Sequence, residues 1–339
     1  MMNRIDSKAV ANFKVHFVPA SDRPRLLCAT DLSVRSEHAM QRAFLIAEQL
    51  DAHLLLLHVV DERQEPMRIG MMADRARSTL QWQANRLAPG NHVADFSVRV
   101  GKPHGLIAAV AREWRADLVI LGSYRSYAGE RLLGTTAERV VRAAGRPVLI
   151  VNGSVPAPYS NVLLASDLSD EFTSVARMTR HLGLLENAEV SIVHALQPAS
   201  RSILYTAGVD EHRVTQYLEG FKQSARVALT SQLQAAGLDP ARLRIVQEYA
   251  PPSRVIEMAV AGMTPQLLVM GMSRFARIKR LLTGSVANDV LRKISCDLLI
   301  ASPTAAKRLR SKIDSSCLPH EAAAAAATRE KLNVTRATI

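Results

Sequence analysis

The chain reads twice. The stretch LLCATDLS at 26–33 returns as VLLASDLS at 162–169, and LLLLHVV at 54–60 returns as VSIVHAL at 190–196. Asp31 stands as far before His58 as Asp167 stands before His194, so no insertion separates these blocks. Further on, ADLVILGSYR at 116–125 matches PQLLVMGMSR at 265–274, and LLGTTAERVVR at 132–142 matches LLTGSVANDVLR at 281–292. RPVLIVN at 146–152 then matches CDLLIAS at 296–302. A period of about 140 residues is the size of a domain, whereas solenoid units run to roughly 20–45 residues. The chain is therefore expected to fold as two copies of one domain.

Within each copy, short apolar runs alternate with segments of helical period. In the first copy the runs at 25–30, 53–60, 95–100, 117–121 and 147–151 predict strands. The segment 36–50 puts Ala39, Ala43, Ile46, Ala47 and Leu50 on one face, and Val175, Met178, Leu182 and Leu185 form the matching stripe in the second copy. Longer helices are expected over 71–88 and 211–236, and shorter ones over 104–115, 135–144, 253–262 and 285–294. Strand and helix in strict alternation means a parallel sheet covered on both faces. The fold class is α/β: two tandem doubly wound domains, each a five-stranded parallel sheet with helices on both faces. The expected division is an N-terminal extension at 1–23, a first domain at 24–152 and a linker at 153–161. A second domain follows at 162–303, then a basic, alanine-rich and disordered tail at 304–339.

Composition agrees with such cores. Hydrophobic residues make up 48% but aromatics only 4%, so the interior must be aliphatic, as suits buried parallel strands. No apolar run reaches the roughly 18 residues that a membrane span needs, and the first twenty residues have no continuous apolar core of a signal peptide. The expectation is a cytoplasmic protein without membrane insertion. Cys28, Cys296 and Cys317 form no Cys-x-x-Cys pair, which speaks against a zinc ribbon or a dithiol centre. The formal charge of +12 favours anionic partners, but much of the excess sits at the ends of the chain, the basic tail among them. No nucleic-acid motif accompanies it, so contact with nucleic acid is expected only as non-specific adhesion of that tail.

Ligands of doubly wound sheets bind beyond the carboxyl ends of the strands, where the strand order reverses. Asp31 and Asp167 stand there, after the first strand of each copy. Two roles fit them: satisfying orphan N–H groups at a helix start, or bonding a ribose hydroxyl or an adenine amino group. After the fourth strand comes a glycine, then a basic stretch, then a glycine and a hydroxyl at a helix start. In the second copy these are Gly271, Gly284 and Ser285, with Arg274, Arg277, Lys279 and Arg280 between. In the first copy they are Gly122, Gly134 and Thr135, with Arg125 and Arg131 between. Glycines let a phosphate approach the backbone, and a helix start offers N–H groups and a favourable dipole. His58 and His194 follow the second strand of each copy in apolar surroundings, where a histidine bonded to backbone is the commoner arrangement than a metal ligand.

Together, ATDLS, ASDLS, the histidine after the second strand, GKPHGLI at 101–107, ADLVILGS at 116–123 and LLTGSVANDVLR at 281–292 resemble the universal stress protein family in its tandem form. The resemblance spans about residues 24–152 and 160–302. It implies a five-stranded parallel sheet in each half. Nucleotide-binding members of that family bind ATP through the strand-one aspartate and a motif of glycine, two residues, glycine, nine residues, then glycine and a hydroxyl. The second copy keeps the overall spacing from Gly271 to Gly284 and Ser285, with Arg274 at the middle glycine. The first copy has Arg125 there and is one residue short between Gly122 and Gly134. An arginine at that place can pair with a triphosphate, fill its cradle, or point to solvent.

The resemblance thus implies a stress-response protein that binds adenine nucleotide, ATP with Mg, chiefly in the second copy. The residues are Asp167, Gly271, Arg274, Gly284 and Ser285, with Asp31, Gly122, Gly134 and Thr135 as weaker counterparts. It would act through protein partners rather than catalysis. With no nucleophile–base pair to read, slow ATP hydrolysis is the most an enzyme could do here. The alternative is a ligand-free interaction module of the same fold, its fifth strands pairing domain with domain or forming a homodimer.

Overall fold

A computed structural model describes residues 23–88, 94–122, 135–153, 157–198, 201–271 and 294–301. The first repeat contributes β1 (Arg25–Thr30), α1 (Val34–Gln49), β2 (His53–Asp61), α2 (Pro66–Leu87) and β3 (Ala94–Gly101). It continues with α3 (Pro103–Glu113), β4 (Leu118–Gly122), α4 (Thr135–Ala143) and β5 (Val148–Val151). The second contributes β6 (Asn161–Ser166), α5 (Asp170–His181), β7 (Glu189–Ala195), α6 (Arg201–Thr206) and α7 (Glu211–Ala235). There follow β8 (Arg244–Glu248), α8 (Pro252–Met263), β9 (Leu267–Gly271) and β10 (Asp297–Ala301). The helix expected over 285–294 lies almost wholly outside the described residues.

All ten strands join one sheet in the order β3-β2-β1-β4-β5-β10-β9-β6-β7-β8. Within each half every pairing is parallel. At the seam β5 and β10 pair antiparallel, with Leu149 opposite Leu299, Leu298 opposite Ile150 and Ile300 opposite Val148. The halves are thus related by a twofold axis through the Leu149–Leu299 rung, and their strands run in opposite directions. The side-chain period of two sends alternate residues to opposite faces. Leu26, Cys28, Leu149 and Leu299 enter the core under α1, α2, α5 and α7. Leu27, Ala29, Ile150 and Leu298 enter the core under α3, α4 and α8. Both cores run unbroken through the seam. Cys28 is buried in β1, and burial pushes its thiol up to about 12, so it stays protonated at neutral pH.

Helix α2 begins at Pro66, five residues before the expected 71. Its apolar stripe starts only at Ala76, because the first turns overhang the core with Met67 and Met71 in solvent. Proline at N1 starts the helix without help from packing. No helix among the described residues is long and apolar enough to cross a membrane.

The seam carries a buried charge. Asp297, 1% exposed, accepts from the N–H groups of Asn152 (2.7 Å) and Gly153 (2.8 Å) at Oδ1, and from the Tyr159 hydroxyl (2.7 Å) at Oδ2. Arg42 of α1 is 6% exposed and brings Nε to 3.4 Å from Oδ2. Its guanidinium also donates to the Ala157 carbonyl and lies over the Tyr159 ring, 4.1 Å from the centroid. Burial first, then the Asp297 charge, push the Tyr159 phenol well above its ordinary value, against the pull of Arg42, so it remains a donor. A Cβ at residue 153 would lie 3.3 Å from the Asp297 carboxylate, which would have to give by a few tenths of an ångström to admit it. The network is one-sided. With Asp31 set on Asp167 and Leu149 on Leu299, the places of Arg42 and Asp297 fall on Met178 and Pro147 in the opposite halves.

Removing one partner of a buried pair costs more than removing both, because a charge is left stranded. Asp297→Ala is expected to cost about 3–5 kcal/mol in urea unfolding. The double variant Arg42→Met/Asp297→Leu is expected to lose less than that single change.

Candidate functional site

In each half α1-type and α2-type helices cover one face of the sheet and the later helices cover the other. The switch therefore falls between β1 and β4, and between β6 and β9. In the first half Ala29 pairs with Leu121, so the next rung sets Thr30 beside Gly122, with Asp31 just beyond. In the second half Ala165 pairs with Met270, so Ser166 stands beside Gly271 and Asp167 follows. The fold thus brings together the aspartate and the first motif glycine of each half. Thr135 opens α4. Gly134, Arg274, Gly284 and Ser285 lie outside the described residues.

The turn after the first strand is built alike in both halves. The residue after each aspartate has left-handed backbone, φ 65° at Leu32 and 57° at Leu168. A leucine there is strained, and such strain persists only where the surroundings enforce it. Here a strand-end hydroxyl does so: Leu32 N–H donates to Thr30 Oγ1 (3.0 Å) and Leu168 N–H to Ser166 Oγ (3.1 Å). Both leucine side chains also pack on the core. The helix caps are Ser33 and Ser169, whose hydroxyls accept from Ser36 N–H and Phe172 N–H, each at 3.3 Å. The serine, not the aspartate, is the cap in each half, so of the two roles open to the aspartates the helix-start one is filled chiefly by their neighbours. Each aspartate accepts from the following serine N–H at 3.0 Å. Asp167 takes that bond and the Ser169 hydroxyl (2.5 Å) on one oxygen, Oδ1. Both aspartates are solvent-exposed, and Oδ2 of Asp167 carries neither of these bonds.

Gly271 has no left-handed φ, and a Cβ on it would make ordinary contact, 3.7 Å from Val175 Cγ2. Neither its backbone conformation nor any contact among the described residues demands glycine at that strand end. A ligand backed against the main chain would.

His58 and His194 each bond through Nδ1 to the last carbonyl of the first strand, Thr30 O and Ser166 O, at 2.9 Å. Among the described residues no group of three or more His, Cys, Asp or Glu could hold a metal. Lys102 precedes α3, 3.9 Å from Glu62, at the end of β3, two strands away from the β1–β4 gap. Sequence reasoning did not reach the left-handed leucines. Their signal is the hydroxyl–Asp–Leu–Ser pattern itself, present at both 30–33 and 166–169.

Burial tends to raise the Asp31 carboxyl, but hydrogen bonds from Ser33 and Ser36 together hold it below the usual aspartate range. Burial lowers His58, opposed by the Thr30 carbonyl and the Asp31 charge, so the ring is neutral at pH 7. Folded His58 binds its proton less readily than unfolded, so its contribution to stability is complete above about 6.5 and falls away as pH drops below it. Its NMR titration midpoint is expected below the ordinary histidine value, and lower still in Asp31→Asn. An unchanged midpoint in that variant would uncouple the two groups.

The universal stress protein family model matches residues 23–152 and again 158–302. A universal stress protein of Methanocaldococcus jannaschii, MJ0577, is 27% identical over 152 residues, covering 38% of this chain and 93% of that protein. Among solved structures, a universal stress protein from Archaeoglobus fulgidus superimposes with TM-score 0.62 at 17% identity, covering 82% of this chain and 98% of its own. A functionally unknown protein from Pseudomonas aeruginosa, PA1789, gives 0.61 at 19% identity, covering 87% and 97%. At those identities the two structures speak to the fold alone, and the fold they share is the tandem one described above. Matched once in each half by the family's own model, the chain belongs to the universal stress protein family.

Proposed function

We propose that the second half binds ATP at the ends of β6 and β9, and that the protein acts through partner contacts rather than catalysis. The observation that carries this is the pairing of an exposed Asp167, its Oδ2 left over by the turn, with a glycine at 271 that no contact among the described residues requires. Asp167 would bond the ribose or adenine. Gly271 would let the ligand approach the main chain. Gly284 and Ser285 would hold phosphate at the following helix start, with Arg274 reaching over the triphosphate. Magnesium would arrive with the phosphates, and an ordered loop would change the surface offered to a partner. The first half, with Asp31, Gly122, Gly134 and Thr135, would bind more weakly because its loop is one residue shorter.

One observation favours the ligand-free alternative: the β5–β10 seam, with its buried Asp297, pairs the two halves directly. Equilibrium dialysis of the full chain against ATP and magnesium separates the two. On the nucleotide reading wild type binds and Gly284→Val does not, while Arg274→Gly reports whether the arginine assists or obstructs. Gly271→Ala is the sharper variant, since among the described residues its Cβ meets only an ordinary contact. It should keep the wild-type melting temperature and lose about tenfold or more in affinity, the worth of roughly 1.4 kcal/mol. No binding by wild type at millimolar ATP would leave the pairing module standing.

A further inference from the structure

The turn that presents Asp167 is gripped from two distant elements. From β7, His194 Nδ1 holds the Ser166 carbonyl at 2.9 Å. From the last turns of α7, Gln232 Nε2 donates to the Leu168 carbonyl (2.9 Å) and to the Ser169 carbonyl (3.1 Å). These carbonyls flank the strained peptide of Leu168 and the serine whose N–H and hydroxyl hold the Asp167 carboxylate. Gln232 is thus one bond removed from the groups that aim Asp167. The C-terminal end of α7 is itself tied down, because Arg177 of α5 donates to the Ala235 carbonyl. A side chain on a fixed helix that bridges two carbonyls of a left-handed turn sets that turn's orientation, and hence where the carboxylate points.

We propose that Gln232, with His194, is the positioning residue of the nucleotide site: it aims Asp167 at the nucleoside while touching no ligand itself. This rests on the nucleotide reading above. It assigns the clamp to one part of the ligand only. The sugar or base, which Asp167 would hold, depends on Gln232; the phosphates, which Asp167 would not touch, do not.

That division is the test. Gln232→Met keeps the length of the side chain and removes its donor. Gln232→Glu keeps size and polarity and sets a carboxylate against two carbonyls. Each full-length variant is titrated by calorimetry with ATP and, separately, with inorganic tripolyphosphate, which has no nucleoside. The expected result is a five- to tenfold weakening for ATP, the order of one to two hydrogen bonds, with tripolyphosphate unchanged. Equal weakening of both ligands would mean a general loosening of the domain and would overturn the proposal. So would ATP affinity equal to wild type in both variants, and in that case nucleotide binding itself would stand. Wild type that binds neither ligand would remove the nucleotide reading, and the positioning role with it. Amide hydrogen exchange at Leu168 and Ser169 provides a ligand-free check. Protection there should fall in both variants, and unchanged protection would show that Gln232 does not hold the turn.

Discussion

The antiparallel meeting of β5 and β10 is the contact on which the rest of the molecule is arranged. A strand edge with unpaired N–H and C=O groups invites association with other chains. Here each half's edge covers the other's, and ten strands become one sheet with two cores that run through the join. The three central rungs bring only leucine, isoleucine and valine together, which gives the contact strength without register. Register comes from Asp297. Its carboxylate reaches across to two N–H groups, a phenol and a guanidinium, and any slip of the strand would strand a buried charge.

The two candidate sites depend on the same architecture at a smaller scale. Parallel strands with crossovers on alternate faces leave a crevice where the order reverses. Each crevice is finished by a turn of four residues that carries its own strain. The hydroxyl of Thr30 or Ser166, the left-handed leucine and the serine cap make one device, repeated with the same backbone bonds in both halves. Its product is an aspartate held by one oxygen and facing solvent with the other, clearest at Asp167.

Much of this was legible in the sequence for physical reasons. Repeats and alternating apolar runs are local signals, so the strands at 25–30 and 53–60 and the helix at 211–236 were found within a residue or so. Asp31, Gly122, Asp167 and Gly271 sit at strand ends, where a doubly wound sheet must put them. What escaped was of two kinds. Helix α6 is six residues long and makes no periodic pattern, and the first turns of α2 face solvent, so neither leaves an apolar stripe. The grip of Gln232 on Leu168 and of Asp297 on Asn152 span 64 and 145 residues of chain. No local pattern distinguishes such a glutamine or aspartate from one in solvent.

The twofold axis at the seam has a spatial consequence. Strands of the two halves point in opposite directions, so their carboxyl ends emerge on opposite rims of the sheet. The crevice beside Asp31 and the crevice beside Asp167 therefore look away from one another. Duplication has thus set two like crevices on opposite rims of one sheet rather than side by side.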